Sequence, residues 1–581
     1  MKRYNTVERN AQIVLFLLKA KGIKKIVASP GTTNIALVGS MQNDEYFEMY
    51  SAPDERSAAY MACGLSVESG EPVVLTCTGA TASRNYLPGL TEAYYRKIPV
   101  IALTSTQNNC RSGHLYPQFI DRTEHPIDTV KKSYQIPVIS KPEDEWECEI
   151  KINDALLECR RDGGGPVHIN ITTGGEYVDF SVKEIKPCRN IVRHTYDEIM
   201  PSLENKKVAI FIGSHKPFSL EETKAIDSFC EQYNSVVFCD QTSGYKGEYR
   251  VLYPLVARQN IADSNLKIDV LIHLGEVSGD YYTTGKFING PNVWRVSPDG
   301  ELRDYFHTLS DVFEMSEFYF FKIYSEKTKE ETVHKEYLNK CLTKRAEVLS
   351  LIGELPFSNV WIANQITNKV PDNSTVHVGI LNSLRCWNFF EVSNTVNVFS
   401  NVGGFGIDGG VSTLIGASLV NPNKLYFGIF GDLAFFYDMN SLGNRHVGSN
   451  VRILLVNNGK GTEFRNYVHP GSKFGEEADL FIAAGGHYGN KSHDLVRHYS
   501  KDLGFLYLSA SNKNEFSNVV GKFLSVENIS QPILLEVFTS NEDESNALKI
   551  INELQKDFST KETIMNLIGE KCINMVRKII K

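Results

Sequence analysis

An apolar run at residues 425–430 ends in Gly431-Asp432-Leu433, a second at 453–456 ends in Asn457-Asn458, and Asp432 and Asn458 stand 26 positions apart. That pairing restricts the fold. A carboxylate and an amide oxygen at strand ends serve one divalent cation only if the strands lie parallel and close, with both C-terminal ends at the same edge. Gly431 lets backbone N–H groups approach a phosphate, so the pattern reads as the grip on a metal-bound diphosphate. Each half alone has a plainer reading, Asp as a helix N-cap and Asn-Asn-Gly as a turn. A rival lies just upstream, where Gly404, Gly406 and Gly409 spell GxGxxG after the apolar run 396–399, the form of a dinucleotide-binding turn. The ribose acid it requires, about 20 residues on, would be Asp432, which the more specific metal pattern already claims.

The rest of the chain fits a requirement for parallel sheets. At 581 residues it exceeds one core, and roughly three or four domains are expected. Apolar strands at 25–28, 73–76, 100–104 and 167–171 alternate with amphipathic stretches. A second block runs from Lys207 to about Thr308, and a third, about 355–540, holds the motifs. Such alternation predicts an α/β chain of three sequential doubly wound parallel-sheet domains, at 1–185, 186–316 and 355–540. A charged helical connector is expected at 317–354. The tail, 541–581, is helical in pattern and reads as a docking helix, an oligomer contact or a solvated hairpin, with no chemistry of its own.

Lys and Arg number 61 against 69 Asp and Glu, a net charge of −8 without a basic stripe, which argues against a nucleic-acid partner. No window approaches the roughly 18 apolar residues of a membrane span, and the run 13–18 reads as a buried helix, not a signal peptide. Eleven scattered cysteines without CxxC pairs predict reduced thiols in a cytoplasmic protein and no zinc site.

Residues 51–65 supply a second candidate, with Asp54 as N-cap of a helix rich in small residues and Glu55 in its first turn. Alone, Glu55 only complements the helix dipole. Beside the metal pattern it becomes the best candidate for a catalytic carboxyl.

Asp54-Glu-Arg, 401–409 and 431–442 resemble segments of the SEPHCHC synthase family, thiamine diphosphate (ThDP) enzymes of menaquinone synthesis. Ser29-Pro-Gly31 and Asn382-Ser-Leu384 are similar to further landmarks of that family, and Thr78-Gly-Ala-Thr and 98–104 resemble acetolactate synthases and 2-oxoacid decarboxylases more distantly. The resemblance implies pyrimidine-binding, central and diphosphate-binding domains. It also implies a homodimer or dimer of dimers, in which Glu55 and the metal motif of one site come from different subunits. By the same resemblance, Glu55 is the acid that hydrogen-bonds N1′ of the aminopyrimidine, and Asp432, Asn458 and the Lys460 backbone carbonyl are Mg²⁺ ligands. Gly431, Asp432, Leu433, Asn382, Ser383, Gly404, Phe405, Phe464, Thr78 and Gly79 surround the cofactor. Thr32, Thr33, Gln107, Gln118 and Glu463 are the expected substrate contacts. His114, His469 and Arg465 fall on nearby loops without an assigned role.

The family's substrate-gripping basic residues are absent from their expected positions, where Thr33, Gln107, Asp280-Tyr281, Trp387 and Val402 stand. Each bidentate Arg–carboxylate contact contributes about 1.5–3 kcal/mol, so their loss predicts retained cofactor chemistry with a changed substrate. Glu463-Phe464 replaces an aliphatic-Phe pair beside the thiazolium. Glu463 therefore reads as a proton donor, a contact for a hydroxylated or cationic acceptor, or a residue turned to solvent by a loop shift. The expected activity is Mg²⁺- and ThDP-dependent decarboxylation of a small 2-oxoacid such as pyruvate to an enamine, which is protonated or transferred to a neutral or sugar-like acceptor. The alternatives are a ThDP-fold regulatory subunit without catalysis and an acyl-CoA lyase. FAD binding, as in acetolactate synthases, stays open.

Overall fold

The computed structural model describes residues 4–107, 109–175, 178–259, 261–327, 334–487, 491–527 and 530–555. They fall into two compact units, Met1–Glu198 with Gly300–Glu314, and Ile199–Asp299 with Met315–Lys581.

In the first unit six parallel strands form one sheet: β1 (Lys25–Ala28), β2 (Glu48–Ser51), β3 (Val73–Cys77), β4 (Val100–Thr106), β5 (Ser133–Ile136) and β6 (Val167–Thr172). Their order is β2-β1-β3-β4-β6-β5. Alternate residues feed two separate cores. Ile26, Val74, Ile101 and Leu103 pack into one face, and Val27, Val73, Leu75 and Ala102 into the other. Both faces are therefore dry, as a parallel sheet flanked by helices requires. The helix Glu55–Ser69 starts where the Asp54 carboxylate accepts the Ser57 N–H at 2.7 Å, and it stops at Gly70, φ 69°. β7 (Val192–His194) and β13 (Leu309–Phe313) also pair within this unit. The stretch 186–316 is thus divided between the two compact units.

The second unit carries a parallel sheet of β8 (Val208–Ile212), β9 (Val237–Cys239), β10 (Arg250–Leu252), β11 (Val270–Leu274) and β12 (Asn292–Val296), running β10-β9-β8-β11-β12. The connector follows as helices Glu317–Lys327 and Glu336–Ser350, with 328–333 outside the described residues. A further parallel sheet holds β14 (Thr375–Val378), β15 (Asn397–Phe399), β16 (Tyr426–Gly431), β17 (Val451–Asn457), β18 (Leu506–Ala510) and β19 (Ile533–Phe538). Its order, β15-β14-β16-β17-β19-β18, repeats that of the first sheet strand for strand.

The tail differs from a solvated hairpin over its described part. The helix Asn541–Asn552 buries Glu544, Ala547, Leu548 and Ile551, and the Gln259 amide donates to the Ile551 carbonyl at 2.9 Å. Residues 556–581 lie outside the described residues. No described helix is long and apolar enough to cross a membrane.

Candidate cofactor and metal site

The strand order makes β14 and β16 neighbours whose following chains diverge, the switch point at which open α/β sheets bind ligands. A cavity of about 100 Å³ lies there. Asn382 and Ser383 after β14, Gly431 at the end of β16 with Asp432 and Leu433 beyond it, and Asn458, Glu463 and Phe464 after β17 all line it. Gly404 and Phe405 do not, and Ile407 of the same loop takes that place. The GxGxxG run follows β15, an edge strand, whereas a dinucleotide turn follows a central strand at the switch point.

Asp432 is 2% exposed and begins the helix Asp432–Tyr437. Its carboxylate accepts the Leu433 N–H at 2.8 Å and the Gly461 N–H at 3.2 Å. Burial raises its pKa, and these backbone donors only offset the effect. A carboxylate held dry, without a cationic side chain, suits a metal ion. The two asparagines divide their work. Asn457 ties β17 to β19 by donating to Glu536 at 2.7 Å, whereas the Asn458 side-chain oxygen is braced by the Lys460 N–H at 3.2 Å. Gly461 must be glycine: its φ is 65°, and a Cβ there would approach a Leu433 methyl to 2.5 Å. The oxygen donors that Asp432 and Asn458 bring to the cavity suit a hard cation such as Mg²⁺ and not zinc. Among the described residues no cluster of three or more His, Cys, Asp or Glu could hold a metal ion.

Long-range ion pairs hold the side chains around this loop. The Lys460 ammonium pairs with Asp479 at 3.0 Å. Arg465 also pairs with Asp479. Glu463 is no lone proton donor and has not swung to solvent, because Arg385 holds both its oxygens at 2.9 Å. Arg385 stands two residues before Trp387, where the resemblance placed an arginine, and Trp387 itself is fully buried. Glu463→Ala would leave Arg385, 13% exposed, without its counter-ion. We expect a loss of about 1–3 kcal/mol, the range for leaving a part-buried polar group without its partner. Urea unfolding would measure it, and Glu463→Ala with Arg385→Met should recover most of it.

One residue the sequence reading passed over is Glu544. It is 1% exposed and accepts from the Asn359 N–H at 3.0 Å, the Thr539 hydroxyl at 2.9 Å and the Asn382 amide at 3.3 Å. Burial pushes its pKa to about 7. It holds two residues that line the cavity. Only an acidic residue on the apolar face of helix Asn541–Asn552 hinted at this in the sequence.

In the first unit the same topology places candidates after β1, β3 and β4. The Thr33 hydroxyl bonds the Thr78 hydroxyl at 2.5 Å and the Ser105 carbonyl at 2.9 Å. Gly31 permits this, since a Cβ there would meet Thr78 at 2.6 Å. Thr32 precedes this contact and Gly79 follows it. Gln107 accepts from Arg111 at 2.9 Å, and Gln118, φ 69°, is exposed. Glu55 is half-buried, with the Asn85 amide donating to it at 3.3 Å.

The family model for the thiamine pyrophosphate enzyme N-terminal TPP binding domain matches residues 9–125, which contain all these first-unit candidates. Over 561 residues the chain is 30% identical to the 2-succinyl-5-enolpyruvyl-6-hydroxy-3-cyclohexene-1-carboxylate synthase of Phocaeicola vulgatus, covering 93% of this chain and 97% of that protein. The chain belongs to the SEPHCHC synthase family. Synthases of the same name from Bacteroides fragilis and Bacteroides thetaiotaomicron are each 29% identical, over 93% of this chain and 98% of theirs. As a SEPHCHC synthase-like member it is a ThDP-dependent enzyme.

Proposed function

We propose that this chain decarboxylates a 2-oxoacid and passes the remaining fragment to an acceptor, with Mg²⁺ and ThDP as its cofactors. The observation that carries this reading is the buried Asp432, which lines the switch-point cavity together with Asn458. Asp432, Asn458 and the Lys460 carbonyl would hold the metal, and the diphosphate would sit against Gly431 and the start of the helix Asp432–Tyr437. ThDP, when bound, supplies an electron sink for the bond to the departing carboxylate. Glu55 would hold the proton at N1′ of the aminopyrimidine. Leu433, Ile380 and Phe464 would exclude water beside it.

The sequence-derived domains 1–185, 186–316 and 355–540 would act as the pyrimidine-binding, central and diphosphate-binding parts of a cytoplasmic homodimer. In support, the helix behind Glu55 leaves Tyr60, Met61 and Val67 exposed on one face, as a subunit contact requires. The donor would be a small monocarboxylate and the acceptor neutral, because Thr33, Gln107, Asp280-Tyr281, Trp387 and Val402 replace the basic residues that grip polycarboxylates.

The test is calorimetric and circular-dichroism titration with ThDP and Mg²⁺, then CO₂ release from a panel of 2-oxoacids that includes pyruvate and 2-oxoglutarate. Saturable binding with turnover of pyruvate is expected. Absence of ThDP binding would overturn the cofactor assignment, and preference for 2-oxoglutarate would overturn the donor. An absorbance spectrum of the purified protein decides on FAD.

A further inference from the structure

Asn359, Asn382 and Ser383 line the cofactor cavity, and none of them carries a charge. Asn382 and Ser383 open the helix Asn382–Trp387, and Asn359 opens the helix Asn359–Ile366. Directly or through Asn359, all three are tied to one carboxyl that does not itself line the cavity, that of Glu544 on the helix Asn541–Asn552.

The hydrogen bonds decide which way each group points. Glu544 Oε1 accepts from the Asn359 N–H and the Thr539 hydroxyl, and Oε2 accepts from Asn382 Nδ2. An ionised carboxylate only accepts, so the Asn382 amide must turn its NH₂ toward it. Donors pin the other half of that amide: Asn382 Oδ1 lies 3.5 Å from Arg385 Nη1 and 3.7 Å from Cys386 Sγ. The orientation is thus set from both sides. One N–H of Asn382 serves Glu544, and Nδ2 makes no other hydrogen bond among the described residues, which leaves the second N–H for a ligand in the cavity. The Asn359 amide donates to Ser383 Oγ at 3.2 Å, so the Ser383 hydroxyl keeps its own proton to donate.

We infer that Glu544 is a positioning residue of the cofactor site: it sets the Asn382 amide so that an N–H, and not the carbonyl oxygen, meets a diphosphate oxygen of ThDP. This rests on the cofactor reading of the cavity, in which Gly431 and Asp432 of the same lining receive the diphosphate and its metal. A reversed amide would present an oxygen to those anionic oxygens and repel them.

The experiment is calorimetric titration of ThDP, with Mg²⁺ in excess, into the parent, Glu544→Gln, Asn382→Ala and the double variant. The titrations are run above the pKa of about 7 to which burial pushes Glu544, so that its carboxyl stays ionised. Glutamine keeps the shape of the side chain, and its single oxygen stays with the two donors at Oε1, so its NH₂ confronts the Asn382 NH₂. Each single substitution should raise the ThDP dissociation constant by roughly tenfold to a hundredfold, the loss of one hydrogen bond to a charged group. The double variant should bind no more weakly than Asn382→Ala, because Glu544 acts through Asn382 and nothing is left for the second change to remove. Melting temperatures of the cofactor-free proteins should stay close to that of the parent. A Glu544 that merely braced its helix would instead lower the melting temperature, and its effect on ThDP would add to that of Asn382→Ala. Additive losses therefore overturn the inference. So does parent-like ThDP affinity in Glu544→Gln, or in Asn382→Ala, which decides the matter even where the glutamine variant does not fold. A parent that binds no ThDP would overturn the cofactor reading and the inference with it.

Discussion

Glu55→Gln is expected to lower ThDP-dependent turnover by about 10²–10⁴-fold, the range supplied by a positioned acid–base group, while fold and cofactor affinity persist. The local structure supports that separation. The helix Glu55–Ser69 is held by the Asp54 cap, and glutamine retains an oxygen for the Asn85 amide, now 3.3 Å from the carboxylate. Helix propensities of Glu and Gln are nearly equal. What the substitution removes is the proton that Glu55 would hold at N1′. Initial rates, a ThDP titration and a thermal melt on one preparation check all three parts. An unchanged rate would sink the assignment of Glu55.

Asp432→Asn should raise the dissociation constant for ThDP with Mg²⁺ by at least about a hundredfold, the upper end of what even an outer-sphere partner of a metal contributes. The amide keeps the shape of a side chain that is 2% exposed, and one oxygen remains for the Leu433 or Gly461 N–H. It loses the charge that balances the cation. The metal-free protein should not suffer. Burial holds the Asp432 carboxyl above its ordinary pKa, so its ionised form is disfavoured until a cation arrives. The metal-free Asp432→Asn variant is therefore expected to unfold at the same temperature as the metal-free parent, or higher. Retained Mg²⁺-dependent binding of ThDP would show that the metal sits elsewhere.

Strands were legible in the sequence where both faces are buried. β1, β3, β4 and β6 each begin and end within two residues of their apolar runs. The strands that the pattern missed in the first block are β2 and β5, the two edges of that sheet, and their residues are mostly half-buried or exposed. An edge strand packs fewer side chains, so its hydrophobic run is weak. The repeated strand order of the first and third sheets had no counterpart in a sequence repeat, because many sequences satisfy one topology.

The candidate cofactor site was legible for a related reason. Asp432, Asn458 and Glu55 lie at strand and helix ends, where local rules of strand length, capping and glycine fix what a residue faces. Residues whose role depends on a long-range partner were not. Glu463 paired with Arg385 across 78 positions and Glu544 reaching Asn359 across 185 have no spacing that marks them. Parallel α/β sheets, the candidate metal-ligand pair and the candidate acid could be read from the chain alone, because they follow from periodicity and local backbone chemistry. Which charges are neutralised, and by what, emerged with the folded arrangement, since a side chain's counter-ion is chosen by packing between elements distant in the chain.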